Sequence, residues 1–141
     1  MKNHSNTKPN LTADTPLNGK SGMATAVKIA ARILCGWGAS YDQATNILRI
    51  SRSVYANALN GSLQEVKLDK DQLSRAAMVA SIHGSIRTIF SNPENVTGFM
   101  RMSNNNDFFD GRSPMDVISD GNFISLYETF RRIDGLRGAA W

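Results

Sequence analysis

Asp71-Gln72-Leu73-Ser74-Arg75-Ala76-Ala77-Met78-Val79-Ala80-Ser81-Ile82-His83-Gly84-Ser85-Ile86-Arg87-Thr88-Ile89-Phe90 is the longest helical pattern in the chain. Leu73, Ala76, Ala77, Val79, Ala80, Ile82, Ile86, Ile89 and Phe90 recur at helical spacing and occupy more than one face, which predicts a helix surrounded by others. Asp69 or Asp71 opens it, and Ser91-Asn92-Pro93 stops it. Gly84 inside it costs ~1 kcal/mol relative to alanine, and close approach of another helix is the expected reason for it. His83 has no carboxylate or nucleophile nearby in the sequence, so it reads as a core or boundary histidine rather than a general base.

Upstream, Ala26, Ile29, Ala30, Ile33, Leu34 and Trp37 predict a first helix from Met23 to about Trp37, ended by Gly36 and Gly38. Cys35 falls inside this apolar pattern and is expected to be a buried structural thiol. Ser40 with Gln43 three residues on forms a capping-box signature before Ala44, Ile47 and Leu48. After Arg49-Ile50-Ser51, either Ser51 or Ser53 caps a second short helix carrying Val54, Tyr55, Ala58 and Leu59, closed by Asn60-Gly61. The connector 61–70 contains Leu63, Val66 and Leu68 and reads as a docked loop, a strand pairing being conceivable.

Downstream, Pro93 at a first helical position and Val96, Phe99 and Met100 predict a helix to about Arg101. Residues 102–107 are an Asn-rich loop. In Asp110-Gly111-Arg112-Ser113-Pro114-Met115-Asp116 the first pair supplies a turn, Ser113 an N-cap and Pro114 the first position of a short helix. A last helix from about Asn122 to Leu136 carries Phe123, Leu126, Phe130 and Ile133 on one stripe. An all-α protein of about seven helices results.

With 141 residues, 41% apolar content and no apolar run near the ~20 residues of a membrane span, the chain reads as a globular protein with room for one core or two small ones. The first ten residues lack the apolar block of a secretory signal, so a cytoplasmic location is expected. One cysteine and two histidines provide no zinc-ligand spacing, and no metal or other cofactor is expected. Residues 1–62 carry seven basic side chains against Asp14 and Asp42, a balance of +5, whereas residues 63–141 carry nine against ten, a balance of −1. The basic half is the one to test for a polyanion. Residues 1–22 are polar and Lys-bearing and read as a disordered arm, either a plain solvated leader or a basic arm adding affinity for DNA phosphates.

The segment Gln43-Ala44-Thr45-Asn46-Ile47-Leu48-Arg49-Ile50-Ser51-Arg52-Ser53-Val54-Tyr55 resembles a helix-turn-helix of the Xre, phage-repressor-like kind. Ala44 permits a close crossing, Leu48, Ile50 and Tyr55 pack the junction, and the second helix offers polar residues to the major groove. The resemblance makes Gln43, Arg49, Ser51, Arg52, Ser53 and Asn57 candidate DNA-binding residues. Arg49 stands where such motifs usually have glycine, so the turn must form without a residue that freely accepts positive φ. The later pieces are similar, in order, to the toxin-binding domain of the Xre/MbcA/ParS antitoxin family: a long helix, an Asn92-Pro93 step, the Gly111 to Val117 segment, and a final helix with a basic, glycine-containing tail from Arg131 to Trp141.

After the arm (1–22), that resemblance implies an Xre-like helix-turn-helix domain (23–68) and a toxin-binding domain (69–141). It implies a non-enzymatic, homodimeric type II antitoxin that represses its own operon and neutralises a RES-domain toxin, an NAD-consuming enzyme. By the same analogy Gly111, Arg112, Ser113 and Pro114 shape the toxin-binding surface, while Arg132, Arg137, Gly138 and Trp141 reach the partner. Local structure offers a plainer account of several: Gly111 only makes the turn, Arg112 pairs with Asp116 or Asp110, and Trp141 folds back on the last helix or frays. The alternative for the whole chain is a helix-turn-helix regulator whose C-terminal helices serve only oligomerisation.

Overall fold

A computed structural model of the chain describes residues 19–138, and every regular element among them is helical. The α-helices are α1 (Lys20–Gly36), α2 (Tyr41–Leu48), α3 (Arg52–Asn60), α4 (Lys70–Ile89), α5 (Pro93–Arg101), α6 (Pro114–Ile118) and α7 (Phe123–Gly135), followed by a 3-10 turn over Leu136–Gly138. Most of the expected arm, 1–18, and Trp141 lie outside the described residues. Lys20, Ser21 and Gly22, assigned to the arm from sequence, belong to α1. The connector explains this earlier start: Val66 N–H donates to Lys20 O (3.2 Å) and Leu68 N–H to Met23 Sδ (3.1 Å), so docked chain covers the first turn. Leu63 and Leu68 are buried with it, as a docked loop requires.

Local capping sets most helix starts. Ser40 and Gln43 form the reciprocal capping box, Ser51 rather than Ser53 caps α3, and Asp69 rather than Asp71 caps α4 with Gln72 answering it. Asn92 precedes Pro93 at the start of α5, and the Ser113 hydroxyl accepts from Asp116 N–H before α6. Each cap satisfies backbone donors that an isolated helix end leaves open.

α4 is the centre. It packs against α1 on one side and α7 on the other, and its Ala76, Val79, Ile82 and Ile86 join one buried cluster running from Ala24 of α1 to Ile133 of α7. The sequence boundary at residue 68 falls just before this helix, whose side chains share that cluster with α1, α2 and α3. At ~1.5–3 kcal/mol for each fully buried aliphatic side chain, this contiguous burial dominates the stability of the chain.

Arg75 of α4 is the one arginine among the buried described residues, 6% exposed. Its Nε donates to Asp71 (2.8 Å), and its Nη1 donates to Ile47 O (3.1 Å) at the end of α2 and to Gly121 O (2.7 Å) between α6 and α7. Asn46 of α2 donates to Ser119 O (2.7 Å) in the same turn. Gly121, at φ +81, is required there: a Cβ would lie 2.9 Å from the Asn46 side-chain amide in a backbone conformation that side chains rarely adopt.

Two expectations fail. Cys35 is exposed, because the buried stripe of α1 passes through Val27, Ala30, Ala31 and Leu34 and leaves the next position facing outward. Gly84 is not a point of close helix approach, since a Cβ added there meets nothing within 4 Å. Its cost is therefore uncompensated, and Gly84→Ala should raise unfolding stability by about 1 kcal/mol in urea denaturation. None of the described helices is long and apolar enough to cross a membrane.

Candidate interaction sites

The Asn-rich loop expected between α5 and α6 is internally organised. Asn104 and Asn106 accept, through their side-chain oxygens, from Asn106 N–H and Phe108 N–H, both at 2.9 Å. Asn104 N–H donates to Arg112 O (3.1 Å) and Gly111 N–H to Asn104 O (2.8 Å), which closes the loop at its base. Asp110 and Gly111 both take positive φ, +53 and +84, to turn the chain. The Asp110-Gly111 pair supplies the residue types that tolerate this conformation.

This turn delivers Arg112 to the carbonyls of its own loop: Nε donates to Phe109 O (2.8 Å) and Nη2 to Phe108 O (2.7 Å). The expected ion pair with Asp116 or Asp110 is absent among the described residues, because those two carbonyls already engage the guanidinium. Arg112 also lies over the Phe108 ring, 5.9 Å from its centroid, and Arg132 of α7 lies over the same ring at 5.1 Å. Two arginines twenty positions apart thus lie against one aromatic ring. Each gains the attraction of a cation for the ring quadrupole. Both remain exposed, with Arg132 weakly paired to Glu128 at 3.6 Å.

The other C-terminal candidates sort by accessibility. Gly111 is exposed, whereas Ser113 and Pro114 are buried as cap and first helical residue and cannot present a surface directly. Arg137 pairs with Asp134 (3.1 Å), which also accepts from Ser85 of α4, and exposed Gly138 ends the 3-10 turn. Beside Arg132, α7 exposes Ile124 (73%) and Tyr127 (42%) at helical spacing with Arg131. Phe108, Ile124 and Tyr127 were missed from sequence, although an apolar residue off the main stripe of α7 was a readable signal for the last two.

At the other end, α2 and α3 are joined by the tight turn Arg49 to Ser51. Arg49 adopts φ +58, the left-handed conformation expected of glycine there. Gln72 Nε2 donates to its carbonyl at 2.7 Å, and its guanidinium binds Asp71 and lies 3.6 Å from Asp69. The hydrogen bond from Arg49, followed by that from Arg75, holds the Asp71 carboxyl below its ordinary value, while Asp71 and then Asp69 raise Arg49. Gln43 is likewise occupied, by the backbone of Ser40.

Ser51, Arg52, Ser53 and Asn57 are all exposed on or at the start of α3. Arg52 donates to Asp42 (2.6 Å) and lies 5.1 Å from the centre of the Tyr41 ring. Tyr41 meets buried Tyr55 edge-on at 5.0 Å, and burial pushes the Tyr55 phenol up to about 12. Its ring therefore serves as packing under α3. Of the six candidate DNA-binding residues, four are presented together, while Gln43 is engaged in capping the start of α2 and Arg49 in holding the turn.

No family model matches the chain. It is 31% identical over 71 residues to "Uncharacterized protein y4oB" of Sinorhizobium fredii (strain NBRC 101917 / NGR234), a match spanning 50% of this chain and about half (54%) of that protein.

Proposed function

We propose that this chain is the antitoxin of a type II toxin–antitoxin system, binding a RES-domain toxin through its C-terminal helices and its own operator through α2 and α3. In this reading α2 and α3 are an Xre-like helix-turn-helix, residues 69–141 form the toxin-binding part, and the protein acts as a cytoplasmic homodimer without catalytic activity. The observation that carries the proposal is the meeting of Arg112 and Arg132 on Phe108. An enzyme that consumes NAD must hold a dinucleotide's negative phosphates. Two prepositioned guanidiniums with an aromatic support are chemically suited to its entrance.

The DNA-binding half of the proposal draws on the exposed Ser51, Arg52, Ser53 and Asn57. Arg52 would exchange Asp42 for a phosphate or a guanine edge, a cheap exchange because the side chains of the pair are 63% and 92% exposed. Arg52→Ala should weaken operator binding roughly tenfold or more in mobility-shift titrations at fixed salt. The melting temperature and toxin neutralisation should stay at wild-type values. Loss of both activities together would point to misfolding and remove the basis for the assignment.

A second reading, a regulator that uses its C-terminal helices only to oligomerise, is favoured by the exposed Ile124 and Tyr127. Co-expression with an adjacent RES-domain gene separates the two: absence of both a complex and growth rescue would leave the regulator.

A further inference from the structure

A cavity of about 440 Å³ lies among the C-terminal half of α1, the C-terminal half of α4 and the start of α5, and shares no lining residue with either surface described above. Ile33, Phe90, Pro93 and Val96 give it apolar walls. Arg32 and Arg87 also line it, no carboxylate does, and neither arginine forms an ion pair with another described residue.

Buried polar atoms lie in the walls behind it. Three buried side-chain nitrogen or oxygen atoms among the described residues lack a hydrogen-bond partner, and two of them, Trp37 Nε1 and His83 Nδ1, belong to side chains lining this cavity. Trp37 is 1% exposed, and its ring centroid lies 6.1 Å from that of His83. Folded interiors leave few such groups unpaired, and each one needs a specific explanation. Desolvation, then the Arg87 charge, holds the His83 pKa below its ordinary 6.5, so the imidazole is neutral at pH 7.

The charged groups lining the cavity, Arg32 and Arg87, are both donors. Guanidinium and indole groups donate and do not accept, and a carboxylate accepts and does not donate. The volume falls in the range of small-molecule sites, ~300–1,000 Å³. The partly exposed Phe90 ring on its wall favours a flat ligand body.

We propose that this cavity is a binding site for a small organic anion with a planar apolar body, its carboxylate drawn to Arg32 and Arg87 and its ring against Phe90, with Trp37 buried beneath the site. The site is independent of the toxin and DNA assignments and would hold in a protein that did neither.

The test is calorimetric titration of the full chain with 2-naphthoate and, as its uncharged counterpart, 2-naphthamide, with the Trp37 indole N–H followed by NMR. Saturable naphthoate binding is expected, with the Trp37 resonance shifting in step and the amide weaker by about tenfold or more. The double variant Arg32→Gln/Arg87→Gln, which alters two exposed side chains and should fold normally, is expected to weaken naphthoate binding by a similar factor. Equal affinity for acid and amide, wild-type affinity in the double variant, or no saturation by about 10 mM would each overturn the proposal.

Discussion

Arg75→Met is expected to lower unfolding stability by about 3 kcal/mol and the melting temperature by roughly 10 °C. Methionine keeps an unbranched apolar stem in the channel that the arginine occupies. What it removes is a set of charge-assisted hydrogen bonds to Asp71, Ile47 O and Gly121 O. The two carbonyls sit at the end of α2 and in the turn before α7, where leaving a buried acceptor unpaired costs ~1–3 kcal/mol each. Asp71 retains Arg49 and adds little to the loss. Arg75→Lys, with a charge but no fork, should fall between the two. A methionine variant within about 1 kcal/mol of wild type by chemical denaturation would show that the arginine is not what holds these three segments together.

The second large effect concerns Phe108 and Arg132. If the exposed guanidinium pair enters a toxin's anion-binding entrance, Phe108→Ala/Arg132→Gln should reduce toxin affinity by about 100-fold, the loss of a ~2–3 kcal/mol hot spot. Rescue of growth in co-expression should fail with it. Arg132→Gln alone separates this from misfolding, because Arg132 is exposed and its nearest carboxylate, Glu128, is 3.6 Å away. It should keep the wild-type melting temperature and still lose most of the affinity. Undiminished neutralisation by the double variant would move the toxin contact elsewhere.

Local chemistry was legible in the sequence where one or two turns of chain contain the whole cause. Ser40 with Gln43, Asn92 with Pro93, Ser113 with Pro114 and Asp110 with Gly111 needed only their neighbours, and each stands where capping and turn rules put it. Arg49 shows the limit: its left-handed backbone was implied by position, but Gln72 and Asp71, which hold it there, come from another helix. Arg75 was invisible for the same reason, because an arginine four residues after an aspartate looks like a solvated helical pair. Its decisive partners are the carbonyls of Ile47 and Gly121, distant in sequence. The meeting of Arg112 with Arg132 is equally non-local. Cys35 and Gly84 erred the other way, because apolar surroundings in a sequence do not say which side of a helix has neighbours.

The seat of Gly121 beneath Asn46 and Arg75 has a consequence for how the chain is destroyed. Proteases cut segments that detach, and detachment is easy where few bonds cross between parts. Here the turn before α7 is pinned to α2 by Asn46 and to α4 by Arg75, while α4 shares its burial with α1. The C-terminal helices therefore cannot peel away cheaply and leave a trimmed, folded remnant. Turnover of the described body should follow its global opening, so its survival time is set by the stability of the whole rather than by its weakest end.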